Sequence, residues 1–429
     1  MKFATLFILS IVISFFTSNL ANAQWVQTNT PSGCYVLCIA ESSAGLFAGT
    51  REQGVFLSTD NGTKWTSVST GLPLPPTVSA LAVSGSKLFA GAYGVAGSPL
   101  DGALVSSNNG ATWSLIDTGL TSNYVYSFAI SGANTSTPIL FAGTAEAGIF
   151  RSTDNGSHWT AVNTGLTNLT VQALVVSDSN DSSPMLFAGT WDGVFLSTNN
   201  GTSWTTSSTG LPSTRVSALT MRGTNASSTM LFAGIYGAGV FISTNKGTSW
   251  TEANTGLAGK YVAAFAVNGT SLFVGTDSGV FLTTNNATNW TRVNSGLLAV
   301  TGNPVVSALA ISGKYLFAGI FPFGVWRRPL SEMSSVSNKE MSTTFNLNQN
   351  YPNPFNPSTE INFTLTQRSI VQLDVFDMLG RKIQTLANTT MDAGQHNATF
   401  NAGNLPSGIY TAQLSTNGGR REMKMILSK

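Results

Sequence analysis

The most regular feature of this chain is a short apolar tetrad, Leu-Phe-Ala-Gly, that returns at nearly even intervals. The tetrad, in one copy Leu-Phe-Val-Gly, begins at seven positions that lie 41 to 52 residues apart: Leu46, Leu88, Leu140, Leu186, Leu231, Leu272 and Leu316. A segment that alternates apolar and small polar residues precedes most copies, and a segment such as Gly-Val-Phe-Leu-Ser follows. Turns rich in glycine, asparagine and serine separate these segments, so the pattern predicts short strands joined by tight turns.

Each repeat contains four such segments. The strand formed by the tetrad is nearly all apolar, as expected in a sheet that is covered on both faces. A unit of this size cannot bury both faces alone, whereas stacked copies can. A repeat of about 45 residues with four strands is typical of a β-propeller blade, so we expect an all-β fold with a seven-bladed propeller.

The seventh repeat is incomplete, because the chain has no further turn and no fourth strand after Leu330. Residues 25–30, near the N-terminus, match the fourth-strand pattern of the other repeats. We therefore expect this segment to supply the missing strand of the seventh blade. Such pairing closes the ring and leaves no open sheet edge between the first and last blades.

A second motif, Ser-x-Asp/Asn-x-Gly-x-x-Trp, follows the third strand of six repeats. Its acidic or amide position holds Asp60, Asn108, Asp154, Asn199, Asn245 and Asn285, and its aromatic position holds Trp65, Trp113, Trp159, Trp204, Trp250 and Trp290. We expect the Asp or Asn side chain to bond the backbone N–H two residues on, with the glycine in a left-handed conformation. The tryptophan should bury its ring at the outer edge of the blade, with its N–H near the turn.

The copies of this motif differ from one another at two positions. Ala287 replaces the glycine in the sixth repeat, so that turn should be strained or reshaped. Four of the six copies carry Asn, which cannot act as a general acid or base and is a weaker metal ligand than Asp. The motif is therefore predicted to be structural.

This motif resembles the Asp-box, or BNR repeat, of sialidases, sortilin-type receptors, tandem-propeller xyloglucanases and photosystem assembly factors. The resemblance covers six of the seven repeats and implies a β-propeller. It also implies that the box lies between the third and fourth strands, away from the face that binds ligands.

Candidate binding residues lie in the loops at the other end of the blades, which vary among repeats while the strands do not. The loops between second and third strands contain Arg51, Glu52, Tyr93, Glu146, Trp191, Asp192, Tyr236, Asp277, Phe321 and Phe323, and the loops between blades contain Tyr35, Tyr124, Arg215, Lys260 and Tyr261. Aromatic rings with scattered acids suit a carbohydrate or a peptide. The same rings could instead fill the central channel, and the sequence leaves both interpretations open.

The most favoured function is thus non-catalytic binding of a glycan or protein ligand. A glycoside hydrolase is the first alternative and needs two carboxylates about 5 to 10 Å apart. Of the candidate acids, only Glu146 and Asp192 belong to adjacent blades. An assembly factor for a membrane protein complex is the other alternative.

Charge and cysteine content bear on which partners and cofactors the chain could bind. The formal net charge is +2 and charged residues make up 9% of the chain, so no broad basic field favours nucleic acid. Cys34 and Cys38 lie too far apart in an extended strand for a disulfide, so a bridge would need a turn between them, and no histidine lies near them. We expect no cofactor and no metal site.

The N-terminus is predicted to be a secretory signal. Lys2 is followed by an apolar run and by Ala21-Asn22-Ala23, which places cleavage after Ala23. The predicted domains are a signal peptide (1–23), the propeller (24–330), a polar linker (331–344) and a small β-sandwich (345–429). We expect an exported protein that does not span the membrane.

The last 85 residues closely resemble the type A C-terminal sorting domain of the type IX secretion system. The matching residues include Tyr351, Pro352, Asn353, Pro354, Phe355, Asn356 and Pro357, the turn at Gly380, and Gly408 with Tyr410. The resemblance implies passage through the Sec pathway and recognition by the type IX machinery as a partner. It also implies release or attachment at the cell surface, usually with removal of the tail.

Overall fold

The computed structural model describes residues 24–31, 33–94, 101–133, 135, 137–177, 184–212, 215–223, 229–297, 304–334, 345–378, 380–416 and 419–429. The predicted signal peptide with its cleavage site at Ala23, and residues 335–344 of the predicted linker, lie outside these ranges. The chain divides into two compact units, Met1–Met333 and Ser334–Lys429.

The first unit consists of seven four-stranded antiparallel sheets. One strand, β1 (Val26–Gln27), precedes the first complete blade. Blades one to three contain β2 (Tyr35–Ser42), β3 (Gly45–Arg51), β4 (Gly54–Ser58), β5 (Thr66–Ser67), β6 (Thr77–Ser84), β7 (Lys87–Tyr93), β8 (Gly102–Ser106), β9 (Ser114–Leu115), β10 (Val125–Ser131), β11 (Ile139–Thr144), β12 (Ile149–Ser152) and β13 (Thr160–Ala161).

Blades four to seven repeat the same order of strands. They contain β14 (Val171–Val176), β15 (Leu186–Thr190), β16 (Gly193–Ser197), β17 (Thr205–Thr206), β18 (Val216–Arg222), β19 (Met230–Ile235), β20 (Gly239–Ser243), β21 (Thr251–Glu252), β22 (Val262–Asn268), β23 (Ser271–Thr276), β24 (Gly279–Thr283), β25 (Thr291–Arg292), β26 (Val305–Ser312), β27 (Tyr315–Phe321) and β28 (Gly324–Pro329). The predicted all-β, seven-bladed propeller is confirmed.

The apolar tetrad forms the buried second strand of each blade, as its composition predicts. Phe47 and Ala48 are fully buried, and the equivalent residues of the other blades are almost equally so. The tetrad glycine permits close packing between blades, since a Cβ on Gly49 would lie 2.8 Å from the Cγ1 atom of Val78 in the next blade. Glycine is therefore required at this position by the neighbouring blade.

The ring closes through the N-terminus. β1 pairs with β28 of blade seven, with Val26 opposite Arg327, and completes that sheet. The predicted closure is therefore confirmed. The indole N–H of Trp25 also donates to the carbonyl oxygen of Val293 in blade six at 2.6 Å, so this segment joins blade six to blade seven.

The antiparallel register gives each blade two distinct ends. Tyr35 at the start of β2 pairs with Arg51 at the end of β3, whereas Leu46 at the start of β3 pairs with Ser58 at the end of β4. The blade-to-blade loops and the loops between second and third strands therefore share one end of the propeller. The Asp/Asn-Gly-Trp turns lie at the opposite end.

The second unit contains two sheets. Its strands are β29 (Phe345–Leu347), β30 (Ser358–Leu365), β31 (Ser369–Asp377), β32 (Lys382–Met391), β33 (Gly394–Asn401), β34 (Gly408–Thr416) and β35 (Gly419–Leu427). One sheet has the order β29-β30-β33 and the other has the order β32-β31-β34-β35. Phe355, Ile361 and Leu373 are among the side chains buried in a common core, as the predicted β-sandwich requires.

The first residues of the predicted linker form regular structure. Residues Ser331–Ser334 form a short helix, α1, and Met333 is fully buried in the first unit. One apolar residue within a polar stretch forms no periodic pattern, so this burial could not be predicted from the pattern of residues. The described residues include no helix that is long and apolar enough to cross a membrane.

Candidate ligand-binding face

The Asp/Asn-Gly-Trp turns are closed by side-chain hydrogen bonds, but not by the bond that was predicted. In blade one, Ser58 Oγ accepts the N–H of Gly62 at 2.8 Å, and Asp60 Oδ1 accepts the N–H of Lys64 at 2.9 Å. The carboxylate thus bonds the N–H four residues on, and the expected bond two residues on is wrong. The hydroxyl of Ser58, two residues before Asp60, takes that nearer N–H.

The same bonds recur whether the side chain is Asp or Asn. Asn108 accepts the N–H of Thr112 at 2.9 Å, and Asp154 accepts that of His158 at 3.0 Å. The N–H and the imidazole of His158 hold the pKa of Asp154 down at about 2. The position therefore needs an acceptor oxygen and not a titratable proton, which supports a structural role.

The tryptophans connect successive blades. All six are buried, as predicted, and their N–H groups donate to the preceding blade. Trp113 donates to the carbonyl oxygen of Val68 at 2.8 Å, and Trp204 donates to that of Val162 at 2.8 Å, in each case in the preceding blade. The acceptor residue itself lies beside the turn, since a Cβ on Gly110 would lie 2.9 Å from Val68 Cγ2.

Ala287 keeps the turn of the sixth repeat in its usual shape at the cost of strain. Its φ is 61°, close to the 79° of Gly247 in the fifth repeat, and its N–H still donates to Thr283 Oγ1 at 3.1 Å. Of the two expected outcomes, strain is confirmed and reshaping is wrong.

The predicted binding residues occupy a regular double ring at the opposite end. We call the residue at the start of the first strand of a blade, or immediately before it, the entry residue of that blade. The residue bonded opposite it, at the end of the second strand or immediately after it, is the exit residue. The pairs of entry and exit residues, from blade one to blade seven, are Tyr35 with Arg51, Thr77 with Tyr93, Tyr124 with Ala145, Thr170 with Trp191, Arg215 with Tyr236, Tyr261 with Asp277, and Val305 with Phe321.

The exit residue of one blade meets the entry residue of the next wherever both are large. The ring centroids of Tyr93 and Tyr124 lie 4.9 Å apart, those of Tyr236 and Tyr261 4.7 Å apart, and those of Phe321 and Tyr35 4.4 Å apart. Sequence reasoning placed these residues on one face but could not pair them, since each pair is brought together by packing between blades.

The longest run of contacts lies on blades four to six. The guanidinium carbon of Arg215 lies 5.6 Å from the ring centroid of Trp191 and 5.3 Å from that of Tyr236, which in turn contacts Tyr261. Trp191, Tyr236 and Tyr261 are each about half exposed. We call these four residues the blade 4–6 cluster.

Gln172 fixes the arginine of this cluster and was missed by sequence reasoning. Its Oε1 accepts the Nε–H of Arg215 at 2.5 Å. The sequence does mark Gln172 as unusual, because blades two, five and seven carry serine at the same position of the first strand. Ser79 there bonds the backbone of the next blade, whereas Gln172 reaches a side chain.

A second group of rings flanks a cavity of about 490 Å³ at blades one and two, lined by Tyr35, Leu37, Arg51, Glu52, Pro75, Thr77, Tyr93 and Gly94. Phe321 of blade seven and Tyr124 of blade three extend this group on either side through their ring contacts. We call Phe321, Tyr35, Arg51, Tyr93 and Tyr124 the blade 7–3 cluster. Burial raises the pKa of Tyr93, which is half-buried at the cavity wall.

The predicted acids are dispersed around the face. Glu52 lies 3.5 Å from Arg51 Nε and is the one carboxylate among the residues that line the 490 Å³ cavity. Glu146 occupies a turn position with φ of 66°, and Asp192 follows Trp191 in a turn. Asp277 Oδ1 is buried without a hydrogen-bond partner among the described residues, and it faces Gly259.

The two remaining loop candidates take part in other contacts. Lys260 Nζ lies 3.7 Å from Glu252 Oε1. Phe323 lines a separate cavity of about 410 Å³ beside the N-terminal strand, where its carbonyl oxygen accepts a bond from Gln27.

Cys34 and Cys38 are free thiols. Burial raises the pKa of the Cys34 thiol to about 11 and that of Cys38 to about 12, so both stay protonated and unreactive near neutral pH. Within the described ranges, no three His, Cys, Asp or Glu side chains are grouped closely enough to hold a metal ion.

Comparison with known families identifies the second unit. Residues 349–428 match the family model of the secretion system C-terminal sorting domain. The predicted resemblance of the tail is therefore confirmed, and this tail implies export by the type IX secretion system to the outer surface or the medium. No curated protein matches the chain.

Comparison with solved structures concerns the propeller. The chain is similar to a GH74 enzyme from Niastella koreensis, with a TM-score of 0.52 and 20% identity over 69% of this chain and 43% of that one. A GH74 xyloglucanase from Xanthomonas campestris matches with a TM-score of 0.52, 16% identity and the same two coverages. An ancestral GH74 enzyme matches with a TM-score of 0.52 and 16% identity over 72% of this chain and 50% of that one.

These similarities show a shared fold. The chain spans less than half the length of the first two enzymes. The finer assignment of the six turns to the Asp-box type stays a prediction, as does the role of each residue on the ligand face.

Proposed function

We propose that this protein is an exported, non-catalytic glycan-binding propeller. The observation that carries the proposal is the blade 4–6 cluster, in which three half-exposed rings and one arginine form a continuous strip across three blades. Large aromatic side chains are costly to leave in water unless a ligand covers them. A strip of flat rings beside fixed hydrogen-bond donors fits the apolar faces and hydroxyl edges of sugar rings.

The fixed arginine supports recognition rather than catalysis. Gln172 and the two flanking rings hold the guanidinium of Arg215 in one orientation, so little side-chain entropy is lost when its remaining N–H groups bind a ligand. In the cavity at blades one and two, Glu52 has no second lining carboxylate to act with, as glycoside hydrolysis requires.

The proposal is tested by a glycan array probed with the purified full-length chain, Trp191→Ala and Tyr351→Ala. Tyr351 is an exposed aromatic residue of the second unit and serves as the matched control. We expect binding to at least one polysaccharide, a loss of tenfold or more in affinity for Trp191→Ala, and no change for Tyr351→Ala.

Three results would contradict the proposal. Absence of binding to every glycan would refute it and favour a protein ligand. Binding that survives Trp191→Ala would show that the strip is not the site. Release of reducing ends from a bound polysaccharide would support the glycoside hydrolase, for which the similarity to GH74 enzymes gives only the fold.

A further inference from the structure

Two gaps divide the ligand face into separate sectors. At the boundary between blades three and four, the exit and entry residues are Ala145 and Thr170, and at the boundary between blades six and seven they are Asp277 and Val305. Neither pair contains an aromatic ring or an arginine. The boundary between blades one and two, Arg51 with Thr77, also has no ring of its own, but both residues line the cavity of about 490 Å³ that Tyr35 and Tyr93 share. The blade 4–6 cluster and the blade 7–3 cluster therefore lie on either side of these gaps, and no ring contact among the described residues joins them.

The two clusters share two features. Each has rings that meet across blade boundaries, and each includes an arginine, Arg215 in one and Arg51 in the other. The blade 7–3 cluster adds a cavity of about 490 Å³, a volume within the usual range for a site that takes a small ligand or one or two sugar units. Phe321 and Tyr124, at the two ends of this cluster, are 44% and 38% exposed.

We infer, on the basis of the proposed glycan-binding function, that the blade 7–3 cluster is a second glycan site and that one extended polysaccharide chain occupies both clusters. Both sites lie on the same end of one closed ring, so their separation is fixed. A polymer long enough to reach from one site to the other binds the second site as an intramolecular event, with a gain of about 100-fold or more over a short fragment.

A single polymer is favoured over two unrelated ligands by the shared chemistry of the sites. Rings across a blade boundary next to an arginine recur in both sectors, although the repeat itself does not require them, since blades three and six have Ala145 and Asp277 at the exit position. Similar side chains on a common face select similar units, and repeating units are what a polysaccharide supplies.

The test compares matched long and short forms of the same glycan on the full-length chain. Suitable probes are xyloglucan with its heptasaccharide, chitin with chitotriose, and polygalacturonate with trigalacturonate, each titrated by calorimetry. Trp191→Ala disables the first site and Phe321→Ala the second. Val305→Ala is the control, because Val305 is 40% exposed and lies in the gap next to Phe321.

For the polymer that binds, we expect an affinity about 100-fold above that of its short form. Either Trp191→Ala or Phe321→Ala should reduce polymer affinity to the short-fragment level, the double variant should abolish binding, and Val305→Ala should have no effect. Circular dichroism and melting curves of each variant confirm that it is folded.

The inference and the proposed function fail in different ways. Equal affinity for polymer and fragment, with Phe321→Ala neutral and Trp191→Ala defective, overturns the second site and leaves the first intact. A neutral Trp191→Ala, or failure of every probe pair to bind, overturns the proposed function and the inference with it.

Discussion

At the residue scale, the turn between the third and fourth strands of blades one to six depends on two consecutive left-handed residues. Asn61 and Gly62 have φ of 56° and 82°, and the sixth repeat reproduces this with Asn286 and Ala287 at 58° and 61°. Asparagine and glycine tolerate this region, whereas alanine is strained there by about 1 kcal/mol. The sixth repeat, which has alanine in place of glycine, can therefore be compared with the five repeats that have glycine.

Replacing Ala287 with glycine should stabilise the propeller. The substitution removes the left-handed strain and leaves the hydrogen bond from this N–H to Thr283 in place. Part of the gain is offset by the greater flexibility of glycine in the unfolded chain. We expect a rise of about 2 °C in the melting temperature, measured by calorimetry.

Gly201→Ala in blade four is the matched reverse substitution. Its φ is 80°, and the nearest atom to an added Cβ is Phe141 Cε1 at 3.1 Å, so strain rather than a severe clash dominates. We expect the melting temperature to fall. A fall for Ala287→Gly, or no change for Gly201→Ala, would show that this turn does not store the strain that its backbone angles indicate.

At the element scale, the N-terminal segment acts as the fourth strand of blade seven and as the seventh interblade tryptophan. The backbone N–H of Trp25 donates to the Ser295 carbonyl oxygen at 2.8 Å, as that of Trp290 does to the Thr255 carbonyl oxygen at 2.8 Å. Thr28 continues the chain of contacts into blade one, where its Oγ1 accepts the indole N–H of Trp65 at 3.1 Å. One short strand thus contacts blades six, seven and one.

Trp25→Ala should destabilise the propeller far more than its position near the chain end suggests. Trp25 is 2% exposed, and loss of a buried tryptophan costs about 3 to 5 kcal/mol. We expect the melting temperature to fall by several degrees. Val26→Ala, at a side chain that is 54% exposed in the same strand, should leave it nearly unchanged. Equal melting curves for the two variants would contradict closure of the ring by this segment.

At the scale of the whole molecule, the chain combines a β-propeller with a C-terminal sorting domain. The second unit has its own core. Phe355, within the proline-rich segment, is buried in that core, and its N–H donates to the Ile426 carbonyl oxygen at 2.9 Å. The match to a secretion system sorting domain assigns this unit to export.

Deleting residues 345–429 should keep the protein in the periplasm. The propeller has its own closed set of sheets, so its fold does not need the tail. Cell fractionation with immunodetection measures the outcome, with the full-length chain as control. Delivery of the tail-less chain to the surface or medium at the normal level would refute the sorting assignment.

The sequence by itself determined the number of blades, the strand that closes the ring and the identity of the tail. These follow from patterns within about ten residues, repeated seven times or matched to a specific motif, and local patterns decide local strands and turns. It was also predictable which loops share an end of the blade, because consecutive antiparallel strands run in opposite directions and every second loop lies at the same end.

Only the tertiary structure decided which residues of different blades meet. Trp113 reaches Val68, Gln172 reaches Arg215, and Tyr236 meets Tyr261, in each case across a blade boundary that no sequence pattern marks. The division of the ligand face at Ala145 and Val305 appears only when exit and entry residues are placed side by side. The angle between packed sheets sets these contacts, and that angle depends on the whole ring rather than on any one repeat.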